Sequence, residues 1–328
     1  MDGATRRVWQ VGHVGAGFMF KYERILVPLD GSDLAERAIA PAVTLANAML
    51  AEVILLSVVT SLPLKIDPFR QALRKEIDAT KLYLDSVRAQ FLPASLGGKV
   101  VAIVGTDIAQ SIINFVEKNE VDLIVMSSQG RSGLGRRLYG SVAGKVLRGV
   151  SCDTAIIRDR VDIGPFSCKR ILVPLDGSPS AEQALEPAIE IARSLSAELI
   201  LLQALTFPID RGETVSSPNV YELMVAAKEA EAKSYMQQVQ ARVSDDRLQI
   251  KTITASGQPS ATIIGNAKKL NVNLIVMTSR GQSGIRRRFY GSVAEKVLFG
   301  TACSTLVVRE PVSVHKEELV HIKGSRDV

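Results

Sequence analysis

The chain spells one stretch twice, and nothing else in it limits the possible folds as strongly. Residues 124–147 read IVMSSQGRSGLGRRLYGSVAGKVL and residues 275–298 read IVMTSRGQSGIRRRFYGSVAEKVL, with 17 of 24 positions identical. A second string, RILVPLDGS, stands at Arg24–Ser32 and again unchanged at Arg170–Ser178. The offset between copies is 146 residues for the second string and 151 for the first, which places a net insertion of five residues in the middle of the second copy. Solenoid repeats have periods of about 20–50 residues, so a period this long marks a duplicated domain. The 328 residues suffice for two domains with cores of their own.

Within each copy the pattern alternates between strand and helix. Arg24–Leu29 is a short apolar run stopped by Asp-Gly-Ser, and Ser32 is an N-cap for the apolar spacing that follows. Its counterpart Ser178 precedes Pro179, the residue favoured at a first helical position. Pro41 and Pro187 fall inside this first helix and predict a kink rather than two separate helices. Second strands are expected at 52–59 and 197–205, helices near 69–91 and 219–243, and third strands at 100–104 and 250–255. Helices over 107–119 and 259–270 then lead into Val121–Met126 and Val272–Met277, runs that are apolar apart from Asp122 and Asn273, the pattern of strands covered on both faces. A helix at 141–149 (292–300) and a last strand at 154–158 (305–309) close each copy.

This alternation predicts an α/β protein built from two tandem, doubly wound, parallel five-stranded sheets of Rossmann-like type, each in the order 3-2-1-4-5. In that order the first and fourth strands are neighbours whose crossovers leave on opposite faces. Ligands bind beyond the carboxyl ends of the strands at such a switch point. The two repeated strings are the ends of those two strands. Asp30 and the loop from Ser127 to Ser141 therefore share one crevice, and Asp176 with Thr278 to Ser292 share the other.

Small residues in the loop let backbone N–H groups close on an anion. Gly130 and Gly140, with Ser141 at the helix start, suit a phosphate, and Arg131, Arg136 and Arg137 add positive charge; Arg280, Arg286, Arg287 and Arg288 do so in the second copy. The competing reading is a glycine-rich turn with solvated arginines. Asp30 and Asp176 could accept hydrogen bonds from a base amine or a ribose hydroxyl, or could equally cap an Asp-Gly turn. A Walker A loop fails, because Gly140 and Gly144 are separated by three residues and Lys145 is followed by Val. A dinucleotide fingerprint after the first strand is absent as well.

Composition narrows the function classes. The chain is 46% apolar and 23% charged, which is globular, and its net charge of +6 is mild. No apolar run is long enough to span a membrane. The first twenty residues lack a signal peptide and are expected to be a disordered leader, with Met19 a plausible true start. Residues 311–328 are expected to be a charged tail. Cys152, Cys168 and Cys303 form no framework and suit a reducing cytoplasm; Cys152 and Cys303 read as small buried apolar residues. The three histidines, His13, His315 and His321, all lie in the presumed tails, which excludes a histidine triad or a His/Cys metal cluster inside either domain. A nucleic-acid role is disfavoured, since no aromatic stacking platform accompanies the arginines.

The strings RILVPLDGS, DLIVMSSQGRSGLGRRLYGSVAGKVL and NLIVMTSRGQSGIRRRFYGSVAEKVL, in order and twice over, resemble the universal stress protein family as a tandem member, across domains at 21–158 and 168–310 with a linker at 159–167. The resemblance implies an adenine nucleotide alpha hydrolase-like fold that binds ATP, with or without Mg2+, through a Gly-x2-Gly-x9-Gly-Ser/Thr pattern. Gly130, Gly140 and Ser141, and Gly281, Gly291 and Ser292, match its later part, while Ser127 and Thr278 replace its first glycine. By the same likeness Pro28, Leu29, Asp30 and Val58 line the base pocket. Met126, Ser127, Gln129 and Gly130 border the ribose and phosphates, and Gly140, Ser141 and Val142 hold the phosphate tail. The second set is Pro174, Leu175, Asp176, Ala204, Met277, Thr278, Arg280, Gly281, Gly291, Ser292 and Val293. Family members pair through their last strands, so the resemblance also implies an internal pseudo-dimer, Thr154–Arg158 against Thr305–Arg309, besides any homodimer.

The expectation is a cytoplasmic, nucleotide-responsive stress factor with no catalytic residue assigned. A scaffold that works through protein partners without nucleotide, and a slow Mg-dependent ATPase, are the alternatives.

Overall fold

A computed structural model describes residues 22–61, 67–130, 140–158, 166–207, 218–279 and 290–309. The first half runs β1 (Arg24–Pro28), α1 (Asp33–Glu36), α2 (Ile39–Met49), β2 (Glu52–Thr60), α3 (Asp67–Phe91), β3 (Gly98–Gly105), α4 (Ile108–Lys118), β4 (Leu123–Ser127), α5 (Ser141–Gly149) and β5 (Asp153–Ile157). The second half repeats it as β6 (Arg170–Leu175), α6 (Pro179–Glu182), α7 (Leu185–Leu195), β7 (Glu198–Leu205), α8 (Pro218–Val243), β8 (Ile250–Ser256), α9 (Pro259–Lys269), β9 (Leu274–Thr278), α10 (Ser292–Gly300) and β10 (Ser304–Val308).

Inside each half the strands are parallel and follow the expected order, β3-β2-β1-β4-β5 and β8-β7-β6-β9-β10. The two expected five-stranded sheets are joined through their last strands, the pair that the family resemblance implied. β5 and β10 pair antiparallel, with Leu306 opposite Ala155, and join all ten strands into one sheet. The physical reason lies in the last strands. Every residue of β5 and β10 is buried, and an unpaired strand of that kind would be an open, apolar edge.

The predicted kinks at Pro41 and Pro187 are corrected, because each helix breaks outright. Proline lacks an N–H, and its ring collides with the carbonyl four residues back, here Arg37 and Gln183. The chain responds at that point with tighter i−3 bonds, Ala38 N–H to the Ala35 carbonyl (3.1 Å) and Ala184 N–H to the Ala181 carbonyl (3.2 Å). A new helix then starts at Ile39 or Leu185, leaving the prolines in its first turn, where no donor is missed.

Helices α1–α3 and α6–α8 cover one face of the sheet and share a continuous apolar layer through Ile25, Val27, Leu45, Leu84 and, in the second half, Ile171, Val173, Ile191 and Met236. The other face is covered by α4 and α5 over Leu26, Ile124 and Met126, and by α9 and α10 over Leu172, Ile275 and Met277. Each fully buried side chain of this size contributes about 1.5–3 kcal/mol. The crossovers after β1 and β4 therefore leave on opposite faces and open a crevice between the two strand ends, once in each half. Because the halves join antiparallel, the two crevices open at opposite margins of the sheet.

Candidate functional site

At the end of β1 the sequence Asp30-Gly31-Ser32 makes a tight turn. Gly31 takes φ +79° and Gly177 takes φ +83°, a left-handed conformation that a side chain disfavours; around Gly177 no atom lies within 4 Å of where a Cβ would sit, so backbone geometry rather than crowding requires glycine there. Asp30 Oδ1 accepts from the Ser32 N–H (3.0 Å) and hydroxyl (2.6 Å), and Asp176 Oδ1 does the same with Ser178 at 3.0 and 2.6 Å. Ser32 and Ser178 in turn cap α1 and α6 by accepting the N–H of Ala35 and Ala181, as expected. The turn-capping role of the two aspartates is thus realised through one oxygen. The other faces Gly130, whose Cβ, if it had one, would meet Asp30 Oδ2 at 2.5 Å.

The loop after β4 is closed at its neck by the Gly140 N–H bonding the Ser128 carbonyl, and the loop after β9 by Gly291 N–H to Ser279, both at 2.9 Å. Gly140 and Gly291 are the N-caps of α5 and α10, and neither end has a side-chain cap. The first-turn N–H groups of two nine-residue helices are thereby left for another acceptor, at the positive end of the helix dipole. Gly140 has φ −56° and ψ 153°, which any residue adopts, and its nearest prospective Cβ neighbour is 3.8 Å away. Neither backbone nor packing asks for glycine there.

The expected residues gather at these strand ends. Leu29 and Leu175 are buried beside the half-buried Pro28, Asp30, Pro174 and Asp176; Val58 and Ala204 are half-buried on the neighbouring strands. Met126, Ser127, Met277 and Thr278 are buried, and the Gln129 N–H donates to the Ser127 hydroxyl at 3.3 Å. Gln129, Gly130, Gly140, Val142, Gly291 and Val293 are half-buried, with Ser141 and Ser292 exposed. Arg280 and Gly281, like Arg131, Arg136, Arg137, Arg286, Arg287 and Arg288, lie outside the described residues.

Beyond Ser141 a cleft of about 250 Å³ continues between Thr60, Asp107 and Lys145. Lys145 Nζ bonds Asp107 Oδ2 at 3.1 Å. The Gln110 N–H and this lysine hold the Asp107 carboxyl below its usual range. No group of three or more His, Cys, Asp or Glu side chains arranged for a metal occurs among the described residues.

The model of the universal stress protein family matches residues 21–158 and again 167–309. The chain belongs to the universal stress protein family. A universal stress protein of Methanocaldococcus jannaschii is 31% identical over 145 residues, covering 44% of this chain and 83% of the relative. Universal stress protein YxiE of Bacillus subtilis is 29% identical over 150 residues, covering 43% and 98%. The crystal structure of a universal stress protein from Archaeoglobus fulgidus shares the fold over 89% of this chain and all of its own, with a TM-score of 0.63 at 20% identity. No helix among the described residues is long and apolar enough to cross a membrane.

Sequence reasoning missed Ser128 and Ser279. Each is 1% exposed, sits at the neck of its loop, and has a hydroxyl oxygen without a hydrogen-bond partner among the described residues. The available signal was their identity in both copies, beside the differing Ser127 and Thr278. Also missed was the traffic between halves. Arg158 donates to the Leu298 carbonyl at the end of α10, and Arg309 to Leu147 at the end of α5. Cations at helix C-termini are favourable.

Proposed function

We propose that each half of the chain binds an adenine nucleotide, ATP with or without Mg2+, and that the protein is a cytoplasmic, nucleotide-responsive stress factor rather than a fast enzyme. The observation that carries the reading is the pair of uncapped helix ends at Gly140 and Gly291. Glycine stands at this position in both copies although, among the described residues, neither the backbone nor a neighbouring atom at Gly140 asks for it, which supports a ligand as the group that needs the room. The N–H groups beside them suit phosphate oxygens, with Ser141 and Ser292 adding hydroxyls. Asp30 and Asp176 stand across the crevice, where a carboxylate suits a ribose hydroxyl or a base amine. The base itself would lie against Pro28, Leu29 and Val58 in one half and Pro174, Leu175 and Ala204 in the other, with Met126 or Met277 below it. Among the described residues at either crevice there is no histidine to act as a general base, and positioning with a metal supports slow hydrolysis at most.

Native mass spectrometry of the freshly purified chain, followed by calorimetric titration with ATP, tests this. Two nucleotides bound per chain at micromolar concentration is the expected result, and an absence of any bound mass together with a flat titration defeats it. The scaffold reading draws on one feature, the Ser127 and Thr278 side chains in place of the pattern's first glycine. The same titration separates the two.

A further inference from the structure

Tyr290 immediately precedes Gly291, the cap of the second cradle, yet its hydroxyl reaches out of its own half. It donates to the Leu147 carbonyl at the C-terminal end of α5, at 2.7 Å. The Arg309 guanidinium stacks over the Tyr290 ring, 4.6 Å from its centre, donates to the Tyr290 oxygen at 2.8 Å, and donates to Leu147 as well. The other end of α5 is Gly140–Ser141, the first cradle. One nine-residue helix, about 14 Å long at 1.5 Å per residue, is all that separates the two. Ala143, Val146 and Leu147 seat this helix in the core, so it moves as a body rather than bending.

The arrangement follows from topology. α5 runs back across the sheet from the margin that holds the first crevice, and the antiparallel junction of β5 with β10 puts the second crevice at the margin where α5 ends. The first cradle therefore stands at the head of α5, and Tyr290, next to the second cradle in sequence, reaches the foot of that same helix. The C-terminal carbonyl that Tyr290 and Arg309 hold carries the negative end of the dipole whose positive end faces the first cradle.

We propose that Tyr290 couples the two nucleotide sites. Filling the second cradle fixes Gly291 and with it Tyr290, which sets the seat of α5 and thereby the N–H groups offered at the first cradle. This rests on the nucleotide reading given above. Coupling of this kind is reciprocal, so a nucleotide at the first cradle acts on the second by the same factor. Tyr290 is a positioning residue in this scheme and touches no ligand itself.

Hydrogen–deuterium exchange of the full chain, read on peptides from α5 and α10, tests the coupling with magnesium ATP as the probe. In Gly140→Val protein only the second cradle binds. ATP is then expected to slow exchange in α5 about fivefold or more, the lower end of ordinary coupling between sites. Adding Tyr290→Phe, which keeps the ring and its stacking but loses the hydroxyl, is expected to abolish the α5 effect while leaving α10 protected. Protection of α10 with α5 unchanged in the Gly140→Val protein overturns the proposal. Should ATP bind nowhere, the nucleotide reading falls by itself, and the ATP-free comparison still decides the coupling. Faster exchange in Tyr290→Phe that spreads to the first turn at Ala143 supports it, and an effect confined to the last turn at Leu147–Gly149 overturns it.

Discussion

The Tyr22 hydroxyl donates to Asp153 Oδ2 at 2.7 Å, and both groups are buried at the junction of the two halves. The other carboxylate oxygen accepts the Arg309 N–H, also at 2.7 Å, so one side chain is held from both halves at once. Burial, then the charge of Asp153, push the Tyr22 hydroxyl well above its usual range, which keeps it a donor at any ordinary pH. Replacing Tyr22 with Phe keeps the volume and strips a buried carboxylate of one partner. The expected loss is about 1–3 kcal/mol, read as a lower urea midpoint at unchanged slope.

Asp122 accepts the N–H groups of Glu23 and Arg24, each at 2.9 Å, and Asn273 makes the same pair of bonds to Lys169 and Arg170 at 2.9 and 3.0 Å in the second half. Burial, the largest influence, lifts the Asp122 carboxyl above 3.8. The folded state therefore holds its proton longer than the unfolded chain, and the associated stability is full below the unfolded pKa and lost as pH rises through the folded one. Asp122→Asn is expected to fold normally and to gain on the parent protein as pH rises from about 4 upward. Urea titrations at pH 3.5 and pH 7 check the sign; a gap that shrinks with rising pH contradicts it.

Gly130 and Gly140 separate folding from binding. A methyl at Gly130 runs into Asp30 Oδ2, so Gly130→Ala is expected to cost about 1–3 kcal/mol through overpacking and to disturb the first crevice. A Cβ at Gly140 meets no described atom closer than 3.8 Å, so the cost of Gly140→Val is expected to be about 1 kcal/mol, that of a less favourable N-cap residue on α5. On the nucleotide reading it nonetheless removes one of two bound ATP molecules in a calorimetric titration. Loss of both bound ATP molecules contradicts the assignment of Gly140 to the first crevice alone.

Cys168 is buried, and burial pushes its thiol up to about 12. Iodoacetamide at pH 8 is expected to leave Cys168 unmodified in the native chain and to label it fully in urea, as peptide mass spectrometry reports. Rapid native labelling would mean that β6 opens at its start.

Much of this was legible because periodicity and turn chemistry are local. RILVP followed by Asp-Gly-Ser gives strand, turn and cap without reference to the rest of the chain, and the limits of α5 and α10 follow from Gly-Ser and helical spacing alone. The helix breaks ahead of Pro41 and Pro187 were not, since a proline permits either a bend or a new start and tertiary packing chooses. The pairing of β5 with β10 came from the family resemblance and not from the residues themselves. Ala155 and Leu306 look like any buried strand residues, and nothing in their letters says which neighbour they take. At the crevices, Asp30, Gly130 and Gly140 stood out by type, while Ser128 did not, because a serine after a strand is unremarkable until its burial is known. Tyr290 and Arg309 act across 143 and 162 residues of sequence on Leu147, a distance that no local pattern spans.

The antiparallel contact between β5 and β10 has a consequence for the company the chain keeps. A lone repeat with a bare last strand must find its mate in solution and can accept any compatible one. Here the mate is tethered, at an effective concentration of roughly millimolar, before any stranger arrives. Which two repeats sit side by side is thereby written into the gene rather than negotiated by expression level, and mutations in one repeat are answered always by the same other.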